Sequence, residues 1–151
     1  MRSNACEAFD KILKKYRATA PLAAQADMLP YRGGEKWIGA PFDGNSWWTG
    51  GFWPGLMWQM YAASGDDCFR DEARRAGALL AAEFKTFTRL NHDVGFMYLL
   101  SRGADWRLTG YGQARVDALH AASLLMAAST RRATSARGTS PTAWATPSST
   151  A

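Results

Sequence analysis

Trp47-Trp48-Thr49-Gly50-Gly51-Phe52-Trp53-Pro54-Gly55-Leu56-Met57-Trp58 is the stretch whose reading decides the fold. Four of the seven tryptophans fall within it. Gly50 and Gly51 suit a tight loop, through positive φ or through close backbone approach. Pro54 fits the first turn of a helix, where the N–H it lacks would go unpaired anyway. The stretch predicts a rigid aromatic loop feeding a helix that starts near Pro54, runs to about Ser64 and stops at Gly65. On composition alone such a cluster reads first as a core nucleus.

On its N-terminal side, Phe9, Ile12, Leu13 and Tyr16 recur at i, i+3, i+4, i+7. The pairs Glu7/Lys11 and Asp10/Lys14 sit at i, i+4. They predict a helix over about Asn4 to Ala18, ended by Pro21. From Ala20 to Ser46, three prolines and four glycines read as a long loop.

On the C-terminal side, Asp66 is a good N-cap for a helix over about Asp67 to Phe87. Phe69, Ala73, Ala76, Leu80, Phe84 and Phe87 form its stripe. A further helix is entered through Asn91, His92 and Asp93 and runs to Leu100. Thr109 is expected to cap a fifth, Gly110 to about Ala128, with Val116, Leu119, Leu124 and Met126 on its inner face. No hydrophobic stretch has a period of two, so the class is all-α, built from helical hairpins.

The formal net charge of +5 needs dissection. From Ser129 onward the chain carries Arg131, Arg132 and Arg137 and no acid; the preceding body holds 15 basic and 13 acidic residues. A nucleic-acid footprint needs a basic stripe on the folded part, which this body lacks. Nothing approaches the roughly 18 uninterrupted apolar residues of a membrane span. Residues 1–7 lack the apolar core of a signal peptide. Cys6 and Cys68 have no metal-ligand spacing and no disulfide framework, so a reducing cytoplasm fits best.

For chemistry outside the aromatic loop, His92-Asp93 is the candidate. An aspartate at a helix start is most often a cap, and a lone histidine most often a surface or core residue. Paired with flat aromatic faces, however, a carboxylate is what a sugar site requires: ring C–H faces stack on tryptophan, and an acid/base group serves the bond being changed. Phosphate loops, a serine nucleophile elbow and a metal cluster are all missing, so no cofactor or metal is expected. His120, in an alanine-rich helix, reads as a packed or half-exposed histidine.

Trp48 to Trp58, followed by Tyr61 and Ser64-Gly65-Asp66, resembles the signature of the unsaturated glucuronyl hydrolases, glycoside hydrolase family 88. His92-Asp93-Val94-Gly95-Phe96-Met97-Tyr98 is similar to that family's second motif. Leu108-Thr109-Gly110, Ala114-Arg115 and Ala118 to Leu125 continue the likeness to about Ala127. The resemblance implies residues 1–128 as the first part of an (α/α)6 barrel. It implies hydration of 4,5-unsaturated uronic acid at the non-reducing end of oligosaccharides, without a cofactor. Carried over by motif, Asp93 is one of two site aspartates, His92 a neighbouring polar contact and Trp48 a wall of the sugar subsite. The family's other aspartate belongs to a later Ile-Asp motif that has no in-frame match here.

Residues 129–151, rich in Ser, Thr, Arg, Ala and Pro, read as a disordered basic tail. Re-read from the third base of each codon, this tail can spell a segment ending in Ile-Ile-Asp, with the aspartate beneath Ser149-Thr150. A frameshifted, truncated family member is therefore expected, inactive by itself. The glucuronyl hydrolase is the leading reading, with a related unsaturated rhamnogalacturonyl hydrolase, whose motifs match less well, as one alternative. A non-catalytic carbohydrate-binding helical module is the other alternative, and a basic-tailed nucleic-acid binder ranks last.

Overall fold

The computed structural model describes residues 4–25, 29–31, 44–86 and 92–137, with side chains of the last helix described as far as residue 127. Its elements are α1 (Asn4–Ala24), two short 3-10 turns (Gly44–Ser46 and Trp48–Gly51), α2 (Phe52–Ser64), α3 (Asp67–Thr86), α4 (Val94–Leu100), α5 (Arg102–Thr109) and α6 (Gly112–Arg137). No strand occurs among the described residues. None of their helices is long and apolar enough to cross a membrane.

The helix that follows the aromatic turn is the centre of the core. Trp53, Pro54, Gly55, Met57, Trp58 and Met60 of α2 are all buried. It pairs antiparallel with α3, whose stripe Phe69, Ala73, Ala76, Leu80 and Phe84 is buried as its spacing requires. Gly65 ends α2 in the left-handed conformation, φ 69°, its N–H donating to the Tyr61 carbonyl at 2.8 Å. Asp66 then caps α3: its Oδ1 accepts the Cys68 N–H at 3.1 Å. α1 lies against α3, and Arg17 of α1 reaches Asp66 at 2.8 Å. Leu29 is an outlying core residue, 4% exposed, held by its N–H to Asn45 Oδ1 at 2.7 Å.

Pro21 does not end α1, which continues to Ala24. The missing N–H of proline costs one backbone bond. Burial of Ala20 and Ala23 and an Arg75 donor at the Ala23 carbonyl hold the last turn in place. Most of the expected loop before Ser46, and Phe87 of the expected stripe, lie outside the described residues.

The expected fifth helix corresponds to α6, and a helix that the sequence reading did not place, α5, precedes it. Arg102–Thr109 is helical, and Gly110, at φ 72°, closes it with an N–H to the Trp106 carbonyl. Thr109 thus caps no following helix; its hydroxyl binds Asp105 and accepts the Tyr111 N–H. α6 begins at Gly112 and continues to Arg137, past Ala128, because alanine and arginine are good helix formers. Its inner face is Ala114, Ala118, Ala121 and Leu124. Val116, Leu119 and Met126, expected inside with Leu124, are more than half exposed. The small residues face α4 and α5 because they let the helices approach closely. Residues beyond Arg137 lie outside the described part, so the expected disordered tail is described only where it is helical.

Candidate functional site

Trp48 sits in the 3-10 turn that leads into α2, and the turn rests directly on α4. Gly51 makes this seating possible. A Cβ there would lie 2.7 Å from Met97 Cα and 2.8 Å from the Phe96 carbonyl oxygen, closer than real Cβ atoms come. Gly50 is less crowded, its Cβ position lying 3.1 Å from the Asn45 carbonyl oxygen. Neither glycine takes a positive φ. Of the two reasons glycine suits this loop, close approach is the one the fold uses.

The Trp48 indole meets two phenylalanine rings edge-on. Phe52 lies at a centroid distance of 5.9 Å and 77° between planes, and Phe96 at 6.4 Å and 60°. These are the offset geometries that an aromatic quadrupole prefers. All three rings are exposed, Trp48 by 39%, so the cluster leaves flat apolar surface open to solvent. The core-nucleus reading holds for Trp53 and Trp58, both buried, and fails for Trp48.

Asp93 is the residue before α4, and its side chain does not cap that helix. Its backbone carbonyl accepts the Phe96 and Met97 N–H groups at 2.9 and 3.2 Å. The commonest reason for an aspartate at this position is therefore absent. The Asp93 side chain is 20% exposed, and Oδ1 lies 3.4 Å from His92 Nε2, whose own side chain is 73% exposed. Phe96, one turn further on, is the ring that touches Trp48. The two sequence motifs thus meet, with Trp48 packed against the first turn of the helix that Asp93 opens. His120 is half-buried on α6.

Sequence reasoning missed a buried polar set on the side of α5. Asp105 is 0% exposed and accepts from Thr109 Oγ1 at 2.8 Å and Arg74 Nη2 at 3.2 Å, with Arg102 Nη1 at 3.5 Å. Arg102 reaches Asp117 at 2.7 Å, and the Tyr111 ring lies over the Arg74 guanidinium, 4.8 Å away. The i, i+3 spacing of Arg102 and Asp105 was the available signal. This set joins α3, α5 and α6, and its charges are mutually paired. Two apolar clefts also lie away from Asp93. One of about 370 Å³ is lined by α1 and α3, including Pro21 and Cys68; one of about 260 Å³ is lined by α2, α5 and the end of α4, including Trp58, Leu100 and Leu108.

No family model matches the chain. It is 41% identical over 83 residues to the unsaturated glucuronyl hydrolase of Bacillus sp. (strain GL1), a match covering 54% of this chain and 22% of the relative. To the unsaturated chondroitin disaccharide hydrolase of Streptococcus pneumoniae it is 36% identical over 87 residues, covering 57% of this chain and 22% of that protein. The crystal structure of the unsaturated glucuronyl hydrolase from Bacillus sp. GL1, responsible for glycosaminoglycan degradation, superposes with a TM-score of 0.61 at 33% identity. That superposition covers 76% of this chain and 29% of the other. The chain spans about a fifth of the length of the curated relatives it matches. Its helical hairpins correspond to part of the (α/α)6 barrel of such hydrolases.

Proposed function

We propose that this chain is part of an unsaturated glucuronyl hydrolase, a glycoside hydrolase that removes a 4,5-unsaturated uronic acid from the non-reducing end of oligosaccharides. The observation that carries this reading is the seating of the Trp48 turn on α4, through Gly51 against Met97 and Trp48 against Phe96. It supports an exposed aromatic face and a carboxylate on neighbouring elements, the combination a sugar ring and its acid/base chemistry need. Likeness in both sequence and fold to glucuronyl and chondroitin disaccharide hydrolases supports the same reading.

In the proposed reaction C4 of the enol ether takes a proton, and water adds at C5 while giving up its own proton to a base. The C5 hemiketal opens by breaking the ring C5–O bond, which leaves a hemiacetal at C1; collapse of that hemiacetal to an aldehyde breaks the glycosidic bond and releases the partner sugar as an alcohol. This is hydration of a double bond, unlike the two-carboxylate displacement of ordinary glycosidases. Asp93 is one of the two carboxylates, Trp48 the wall against the uronate ring, and His92 the polar neighbour of Asp93. The second aspartate is expected in the bases beneath Ser149-Thr150, read in the shifted frame. Cys6 and Cys68, which form no disulfide with each other, support a reducing, cytoplasmic setting.

With one aspartate the chain binds the uronate but turns it over negligibly. The test follows the ultraviolet absorbance of the C4=C5 bond in an unsaturated glucuronyl disaccharide. No loss is expected with this chain; loss is expected with a chain continued in the restored frame, and Asp93→Asn abolishes it. Turnover by the present chain overturns the half-site reading. A frame-restored chain that folds and stays silent overturns the hydrolase reading.

A further inference from the structure

Beneath the aromatic turn, three helices meet on a carboxylate that the proposed chemistry does not use. Glu72 of α3 is 4% exposed. Its Oε1 accepts the Trp53 indole N–H at 2.6 Å. The Arg75 guanidinium grips both carboxylate oxygens, Nε to Oε2 at 2.7 Å and Nη2 to Oε1 at 2.9 Å. Arg75 Nη2 also donates to the Ala23 carbonyl of α1 at 3.1 Å. On its α1 side the Trp53 ring packs against Tyr16, centroids 6.2 Å apart.

Stability alone is a weak reason for this arrangement. Taking a carboxylate and a guanidinium out of water is costly, and apolar replacements of a buried pair are often neutral or stabilising. What the pair does supply is direction. A charge-assisted N–H···O bond of this length is short and angle-dependent, so it fixes which way the Trp53 indole points. Trp53 is the second residue of α2. Fixing its side chain fixes the rotation of the first helical turn about its axis. Phe52 precedes it directly, and its ring is one of the two that bracket Trp48.

We propose that Glu72 is a positioning residue for the sugar site: by holding Trp53 it sets the rotation of the first turn of α2, and with it the orientation in which Phe52 and Trp48 face the uronate. Glu72 does not itself touch the sugar. The inference rests on the reading of Trp48 as the uronate wall.

The test uses the full chain, labelled with ¹⁵N, and reads the indole N–H resonances, with Trp48→Phe serving only to assign Trp48. Trp53→Phe removes the indole N–H and keeps an aromatic ring, while Glu72→Gln keeps a carbonyl acceptor. With Trp53→Phe and Glu72→Leu the Trp48 resonance moves and affinity for an unsaturated glucuronyl disaccharide drops about tenfold, through the orientation that one internal charge-assisted bond can hold, at unchanged helix content by circular dichroism. Glu72→Gln restores the resonance and most of the affinity. An unmoved Trp48 resonance and unchanged affinity in Trp53→Phe overturns the proposal, and this variant decides alone should Glu72→Leu fail to fold. If the unaltered chain does not bind the disaccharide, the uronate reading falls by itself; the Trp48 resonance still decides whether Glu72 orients the turn.

Discussion

The Trp48 indole touches the Phe96 ring edge-on at a centroid distance of 6.4 Å. Phe96 lies one helical turn beyond Asp93, and its N–H is bonded to the Asp93 carbonyl at 2.9 Å. An exposed aromatic ring on one element is thereby packed against the helix that a carboxylate residue opens on another.

Gly51→Ala tests the seat of the aromatic turn. The added Cβ meets backbone atoms of Phe96 and Met97 inside 3 Å, and helix backbone cannot give way locally. Overpacking of this kind costs about 2 kcal/mol. Gly112→Ala is the control, since a Cβ there has nothing within 4 Å and its φ is not positive. It should stabilise by about 0.5 kcal/mol through the unfolded chain. Urea melts of the two variants should move in opposite directions; equal midpoints would contradict the steric account.

Asp105→Ala removes the anion at the centre of the α3–α5–α6 set. Asp105 is fully buried between Arg74, Arg102 and Thr109, so its loss removes the shared acceptor and leaves the buried Arg102 guanidinium short of a partner. Breaking one partner of a buried pair costs about 3 kcal/mol or more. Asp105→Asn, which keeps an acceptor, should lose less. A loss below about 1 kcal/mol for the alanine variant would mean that the set is not structural.

Asp66 gives the chain an acid-sensitive contact. The Cys68 backbone N–H, and after it the Arg17 guanidinium, hold its carboxyl below the ordinary value of 3.8. The folded state therefore binds this proton less readily than the unfolded chain does. Its stabilising contribution is complete above the ordinary value and disappears as pH falls through the lowered one. Asp66→Asn keeps a capping acceptor and removes the charge. The melting difference between wild type and this variant should be constant near neutrality and shrink below pH 3.8. A difference that grows on acidification would reverse the sign of the argument.

Much of this was legible in the sequence because single residues carried strong local signals. Asp66 before the Phe69–Phe84 stripe and Gly65 after α2 marked two helix ends, and both stand where expected. Hidden features were those that depend on partners distant in sequence. Pro21 stays helical because α3 receives Ala20 and Ala23. The α5 helix is short and charged, and its Arg102 and Asp105 are buried only because Arg74 and Asp117 come from other helices. On α6, residue size misled. The alanine face is inside and Val116, Leu119 and Met126 are outside, since helix approach selects for small side chains. At the site itself, the two motifs could be quoted from the sequence, whereas the absence of an Asp93 cap and the packing of Trp48 on Phe96 needed the fold.

The most direct test of the account is a titration of the chain with an unsaturated glucuronyl disaccharide, read by tryptophan fluorescence, in wild type and Trp48→Ala. Trp48 is exposed and its ring contacts are worth about 1 kcal/mol, so the variant should fold. The account predicts weak, saturable quenching by the disaccharide that Trp48→Ala abolishes while circular dichroism and melting stay near wild type. Quenching that survives in Trp48→Ala, or no saturable binding by the folded wild-type chain, would contradict it.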